Sequence, residues 1–143
     1  ILAGRSINDK MGNYVSRELV KKMKSKQIKI KGSKILIMGL TFKENCTDIR
    51  NSGVENIFKY LKRYRCKVEL FDPWANLLDV KMTYSKVPNV KLEKNTYDGI
   101  VVAVAHNEFK KMGIKKIKNL CKKKHVIFDL KFLFSSNEVD LRL

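Results

Sequence analysis

The sequence predicts an α/β fold: a parallel sheet with helices on both faces, preceded by a long N-terminal helix. Two observations carry this. Short apolar segments, ILIMG (35–39), KVELF (67–71), IVVAVA (100–105) and HVIFDL (125–130), alternate with stretches of helical length and spacing, which is the pattern of βαβ units. The strands are also apolar at consecutive positions instead of every second one, as a sheet covered on both faces requires.

Taken in order, Ile7, Met11, Val15, Leu19 and Met23 recur in steps of four, and Tyr14 and Val20 widen the stripe. This predicts an amphipathic helix over about 6–27, with Arg17, Lys21, Lys22 and Lys24 on its polar face. A lysine-rich break at 29–34, with Gly32 and Ser33, separates it from the first strand and suggests a boundary. Between strand 35–39 and the next helix lies GLTFKENCTDIRNS (39–52). Ser52 and Glu55 match a capping box, and Val54, Ile57, Phe58 and Leu61 follow at helical spacing, so a helix is expected over 53–64. Strand 67–71 follows. Segment 73–98 is expected to hold a short helix after Pro73 and a short strand at Val90–Leu92, and a helix over 107–122 connects the last two strands.

A chain of 143 residues suits one domain with a real core. Its longest apolar run, Ile100 to Ala105, has the length of a buried strand, far short of the ~20 residues that cross a bilayer. No membrane partner is expected. Cys46, Cys66 and Cys121 are odd in number and widely spaced, which argues against zinc, any other metal site or a disulfide framework, and fits a reducing cytoplasm. The opening, ILAGRSINDKMGNYV, reads as the middle of a helix, so the chain is expected to be a piece of a longer protein. The net charge of +17 invites a second reading, a basic nucleic-acid-binding module without enzymatic activity. Against it, the basic residues are 25 lysines to 6 arginines, scattered through every segment with no stripe of interleaved aromatics. No nucleic-acid partner is expected.

Ligands of open α/β sheets bind beyond the carboxyl ends of the strands, and 39–52 lies at such an end. Of the glycines that a dinucleotide loop uses to approach a pyrophosphate, only Gly39 is in place. Phosphate would therefore have to meet side-chain cations, Lys43 or Arg50; alternatively Asp48 and Arg50 simply pair with each other. Asp72 could accept from a ribose hydroxyl, but Asp-Pro favours a turn. His106 at the end of IVVAVA lacks a visible catalytic partner and is expected to be a surface or capping residue. Cys46 has two cations nearby, yet nothing that marks a nucleophile. Phe71 and Trp74 are expected to cover the sheet edge.

Several pieces agree in order with one family. GLTFKENCTDIRNS resembles the signature that opens the carboxyl-terminal domain of the UDP-glucose/GDP-mannose dehydrogenase family, especially its branch acting on UDP-N-acetylhexosamines. RSINDKMGNYV looks like the end of the family's central helical domain, and FDPW, VAVAHNEF and IFDLK look like its later strand ends, so the resemblance covers nearly the whole chain. It implies a Rossmann-like UDP-sugar-binding domain over 31–143, with 1–30 closing the central helical dimerisation domain of a homodimeric enzyme. That enzyme would oxidise a UDP-sugar at C6 to a uronic acid for surface polysaccharide, with NAD as cofactor. Residue by residue, Phe42 and Lys43 match the family's Phe-Lys pair, whose lysine contacts the UDP-sugar. Arg50 matches the arginine that reaches the NAD held by another domain. Lys131 falls where many members have the arginine of Asp-x-Arg, which binds substrate; lysine keeps the charge but loses the bidentate fork. The family's catalytic cysteine and NAD fingerprint belong to upstream segments. Cys46 does not inherit the catalytic role, no catalytic residue is assigned, and these 143 residues alone are expected to lack dehydrogenase activity.

Overall fold

The structure, a computed structural model, describes residues 2–143, with side chains described from Ser6 onward. Helix α1 (Leu2–Ser25) is followed by β1 (Lys34–Met38), α2 (Val54–Arg63), β2 (Lys67–Phe71), α3 (Leu77–Tyr84) and β3 (Tyr97–Val102). Then come α4 (Asn107–Leu120), β4 (Cys121–Asp129) and β5 (Leu141–Arg142). The strands form one parallel sheet in the order β2-β1-β3-β4-β5. Helices cover both faces, as the continuous apolar strands require. Ile35 and Ile37 point to a core shared with Val15, Leu19 and Met23 of α1 and Ile57 and Leu61 of α2. Leu36 and Met38, on the opposite face, pack with Phe109, Ile117 and Leu120 of α4.

The differences from the sequence reading have local causes. The helical stripe of α1 divides: Val15, Leu19, Val20 and Met23 are buried against the sheet, whereas Ile7, Met11 and Tyr14 stay exposed. The capping box does not form. Gly53 takes the N-cap position at φ 76°, the Ser52 hydroxyl accepts only from the Val54 amide at 3.3 Å, and Glu55 pairs with Lys59 at 3.1 Å. Segment 90–92 is not a strand, and Val90 is 98% exposed. Strand β4 begins at Cys121, directly after α4, which is bent at Gly113 (φ 77°, ψ 163°). Strand β5 has no counterpart in the expectations from sequence. It is held by Asp140, whose Oδ2 accepts from the Ile127 amide at 2.8 Å and whose Oδ1 binds the Lys26 ammonium; Lys26 also donates to the His125 carbonyl at 2.7 Å.

Helices α1 and α2 cross where α1 has no side chain. A Cβ added to Gly12 would lie 2.6 Å from Asn56 Cβ and 2.9 Å from the Asn56 carbonyl carbon, distances that real contacts do not reach. Gly12→Ala is therefore expected to destabilise the chain by about 2 kcal/mol despite the better helix propensity of alanine. Urea denaturation measures this, and a neutral or stabilising Gly12→Ala would mean that the crossing can widen freely.

Candidate functional site at the carboxyl ends of the strands

The chain leaves β1 for β2 on one side and later returns to β3 on the other, so the connections diverge between β1 and β3. In open α/β sheets this divergence creates the ligand crevice. Two connections border it here, 39–53 after β1 and 103–106 after β3. Their bases are sealed together: Gly39 has φ 99°, and a Cβ there would lie 2.6 Å from Val104 Cβ. Gly39 thus allows the two strand ends to approach, a packing role and not that of a phosphate cradle.

Above this seal sits a buried network centred on Asp72 and His106, which are 6% and 0% exposed. Asp72 Oδ1 accepts from the amides of Trp74 at 2.7 Å and Ala75 at 2.9 Å, which bears out the Asp-Pro turn. Its Oδ2 accepts from the Leu40 amide at 2.6 Å and lies 3.0 Å from His106 Nε2. On the other edge of the imidazole, Nδ1 accepts from the Asn45 amide at 3.0 Å. A ring nitrogen that accepts carries no proton, so the neutral ring bears its proton on Nε2 and donates it to Asp72. Burial pushes the Asp72 carboxyl up, but the His106 bond and the Leu40 and Trp74 amides more than offset this and hold it below the usual carboxylate range. The ring is flanked by Trp74, stacked at 6.3 Å, and by the edge-on Phe109 at 5.3 Å. Trp74 is itself fixed through Nε1 to Glu108 at 2.8 Å. His106 is thus at the N-cap position of α4, as a capping residue would be, yet its side chain caps nothing and faces inward.

The loop tied down by this network carries three of the four residues singled out from the sequence. Phe42 is 47% exposed, and the Lys43 ammonium lies 5.5 Å from its ring centroid. Among the described residues Lys43 makes no ion pair. Arg50 does: Nε and Nη2 bind Asp48 at 3.0 and 2.9 Å, and this fork holds the exposed Asp48 carboxyl at about 2. The pairing alternative is therefore realised in the structure. Arg50 also lines a cleft of ≈ 640 Å³ with Thr47, Asn76, Asp79, Met82 and Thr83, a wall contributed largely by α3. Phe42, Lys43 and Lys131 do not line it.

Lys131 stands at the same edge of the sheet, beyond β4 and separated from the β1 loop by β3. Its amide and that of Phe134 donate to the buried Asp129 carboxylate at 3.1 and 2.9 Å, while the Lys131 side chain is exposed. Beside it Phe132, at φ 54°, is covered by the Arg142 guanidinium at 4.4 Å, a pair the sequence did not suggest. Cys46 Sγ accepts from the Asp48 amide at 3.4 Å and so shapes the loop. Burial pushes the Cys66 thiol up and raises Cys121 to about 12, which makes both unreactive. Among the described residues no helix is long and apolar enough to cross a membrane.

The model of the UDP binding domain of the UDP-glucose/GDP-mannose dehydrogenase family matches residues 36–136. Over all 143 residues the chain is 48% identical to the UDP-N-acetyl-D-glucosamine 6-dehydrogenases of Salmonella typhi and Pseudomonas aeruginosa, and it covers 34% of each. It is 33% identical to Protein CapL of Staphylococcus aureus, covering 99% of this chain and 33% of that protein. The chain thus spans about a third of the length of the curated relatives it matches. Among solved structures, the UDP-D-ManNAc dehydrogenase of Pyrococcus horikoshii shares the fold with a TM-score of 0.73 at 23% identity, over 96% of this chain and 31% of that one. The native UDP-N-acetyl-mannosamine dehydrogenase of Staphylococcus aureus gives 0.68 at 26% identity, over the same 96% and 31%.

The network has a pH signature. Because the Asp72 carboxyl is depressed in the folded chain, its stabilisation is fully present above the unfolded value near ~3.9 and disappears as the pH falls through the folded one. Asp72→Asn is expected to cost about 2–4 kcal/mol at neutral pH, since an amide cannot accept from all four donors. The gap between wild type and variant in urea midpoint should narrow as the pH drops below about 4. A gap independent of pH down to the acid transition would show that the charge on Asp72 is not what stabilises the loops.

Proposed function

The chain belongs to the UDP-glucose/GDP-mannose dehydrogenase family, as its UDP-binding domain, and from this premise we propose that it holds the UDP end of a UDP-N-acetylhexosamine within an NAD-dependent 6-dehydrogenase. The observation that carries the reading is the 48% identity, along the entire chain, to two UDP-N-acetyl-D-glucosamine 6-dehydrogenases. In the full-length protein the C6 alcohol would be oxidised to a carboxylate, giving a UDP-uronic acid for surface polysaccharide in the cytoplasm. Residues 31–143 are the UDP-sugar domain on this reading, and 1–30 the end of a central helical domain. The exposed Ile7, Met11 and Tyr14 on α1 suit burial against the remainder of that domain, which would carry the homodimer contact.

The roles are those the resemblance implies, and the geometry supports them. Lys43, an exposed ammonium that makes no ion pair among the described residues and lies 5.5 Å from the centroid of the Phe42 ring, would meet the diphosphate. Lys131 would add a second cation to the substrate from the end of β4. NAD supplies the hydride acceptor when bound, and this chain's own residues do not form a cradle for it: Gly39 is packed against Val104, and no further glycine follows until Gly53. Arg50 would reach the cofactor from the side, oriented by Asp48, once the NAD-binding domain closes on this one. No group here is assigned to the chemical step.

Titration calorimetry of the chain with UDP is expected to give binding in the millimolar range or tighter, weakened about tenfold or more in Lys43→Ala. Failure of UDP to bind at millimolar concentration, together with no effect of Lys43→Ala, would remove the assignment. The nucleic-acid alternative, motivated by the charge of +17, has the opposite signature: affinity for DNA or RNA that falls steeply with salt and ignores UDP.

A further inference from the structure

We propose that His106 is the positioning residue for Lys43, acting through the loop backbone on either side of it. The inference rests on the reading that Lys43 contacts the UDP-sugar.

Lys43 lies in a connection with no regular secondary structure, where an unrestrained lysine would lose much conformational entropy on meeting a ligand. The structure restrains its backbone from both sides, and both restraints converge on one imidazole. Before it, the Thr41 hydroxyl donates to the Lys43 carbonyl at 2.8 Å while its oxygen lies 3.3 Å from His106 Nε2. After it, the Asn45 amide donates to His106 Nδ1 at 3.0 Å. Asn45, held at φ 54°, is fixed a second time where its side-chain oxygen accepts from the Asn107 amide at 3.0 Å. The ring cannot turn away, since Nε2 is bonded to Asp72 and both neighbours are aromatic.

Histidine suits the task because it is a rigid plane with a donor on one edge and an acceptor on the other. Its neutral form binds the Asp72 carboxylate through one nitrogen and the Asn45 backbone amide through the other. The ring itself is wholly buried, so it acts on ligand only through Lys43. The two halves of its role can be separated. His106→Asn keeps an acceptor near the Nδ1 position and loses the link to Asp72; His106→Gln keeps a donor near the Nε2 position and loses the acceptor for Asn45.

The test measures UDP affinity by calorimetry, and stability by urea, in the full-length protein. The variants are His106→Asn, His106→Gln and Thr41→Val, each with Lys43 intact and in a Lys43→Ala background. His106→Gln and Thr41→Val are expected to weaken UDP about 3- to 10-fold, more than His106→Asn does, and to have no further effect once Lys43 is alanine. If His106→Gln does not fold, Thr41→Val, which leaves the Asp72 link in place, decides alone. Losses that persist in the Lys43→Ala background, or that are equal for His106→Asn and His106→Gln, would overturn the positioning role and leave the Lys43 assignment standing. Unchanged UDP affinity in Lys43→Ala itself would overturn the assignment and the positioning role together.

Discussion

A carboxylate removed from water is costly unless its lone pairs are filled by donors that cannot leave, and Asp72 meets this condition with four of them. The donors come from three separate connections: Leu40 after β1, Trp74 and Ala75 after β2, and His106 after β3. The charge therefore joins the ends of neighbouring strands that backbone pairing leaves free once the sheet stops. Removing one donor would leave an underbonded buried anion, so the connections share the fate of one group. The loop after β1 inherits its shape from this arrangement, and with it the direction in which Lys43 emerges.

Much of the fold was legible because it depends on short-range pattern. Ile35 to Met38 are apolar on both faces of one strand, and Val54, Ile57, Phe58 and Leu61 trace one face of one helix, so each element is named by its own residues. Those parts that escaped depend on a partner distant in sequence. Strand β5 is two residues long and exists because Asp140 bonds to Ile127 and Lys26. The end of the first helix looked uniformly amphipathic, but only contact with the sheet decides that Val15 is covered and Met11 is not. At Ser52 the local signal misled: the capping box fits the letters, and the left-handed Gly53 between cap and helix removes its geometry.

The site divides in the same way. Lys43 and Arg50 stood out because they lie within one continuous signature, and the structure leaves the first exposed and couples the second to Asp48. The Asp72 and His106 network did not stand out, because 34 residues separate its members and each has an ordinary explanation alone. A physical signal was nevertheless present: Asp72 and His106 follow two strands that both pair with β1, so any parallel sheet in this order brings them to the same edge. Asp129 at the end of β4 extends the pattern, taking the Lys131 and Phe134 amides as Asp72 takes those of Trp74 and Ala75.

This use of acidic side chains also changes the meaning of the net charge. Asp72, Asp98, Asp129 and Asp140 all accept from backbone amides and are largely turned inward, where they shape strand ends and edges. Asp98 and Asp140 also pair with Lys122 and Lys26, but Asp72 and Asp129 meet no lysine side chain among the described residues, so the outward face of the molecule is more basic than a simple count of acids suggests. On the proposed reading, a diphosphate approaching the carboxyl edge of the sheet would be drawn by the whole surface and held by the few cations the loops present. Attraction without selectivity would come from the scattered lysines; selectivity would require a cation whose position is fixed, and on the proposed reading Asp72 fixes it through the loop after β1.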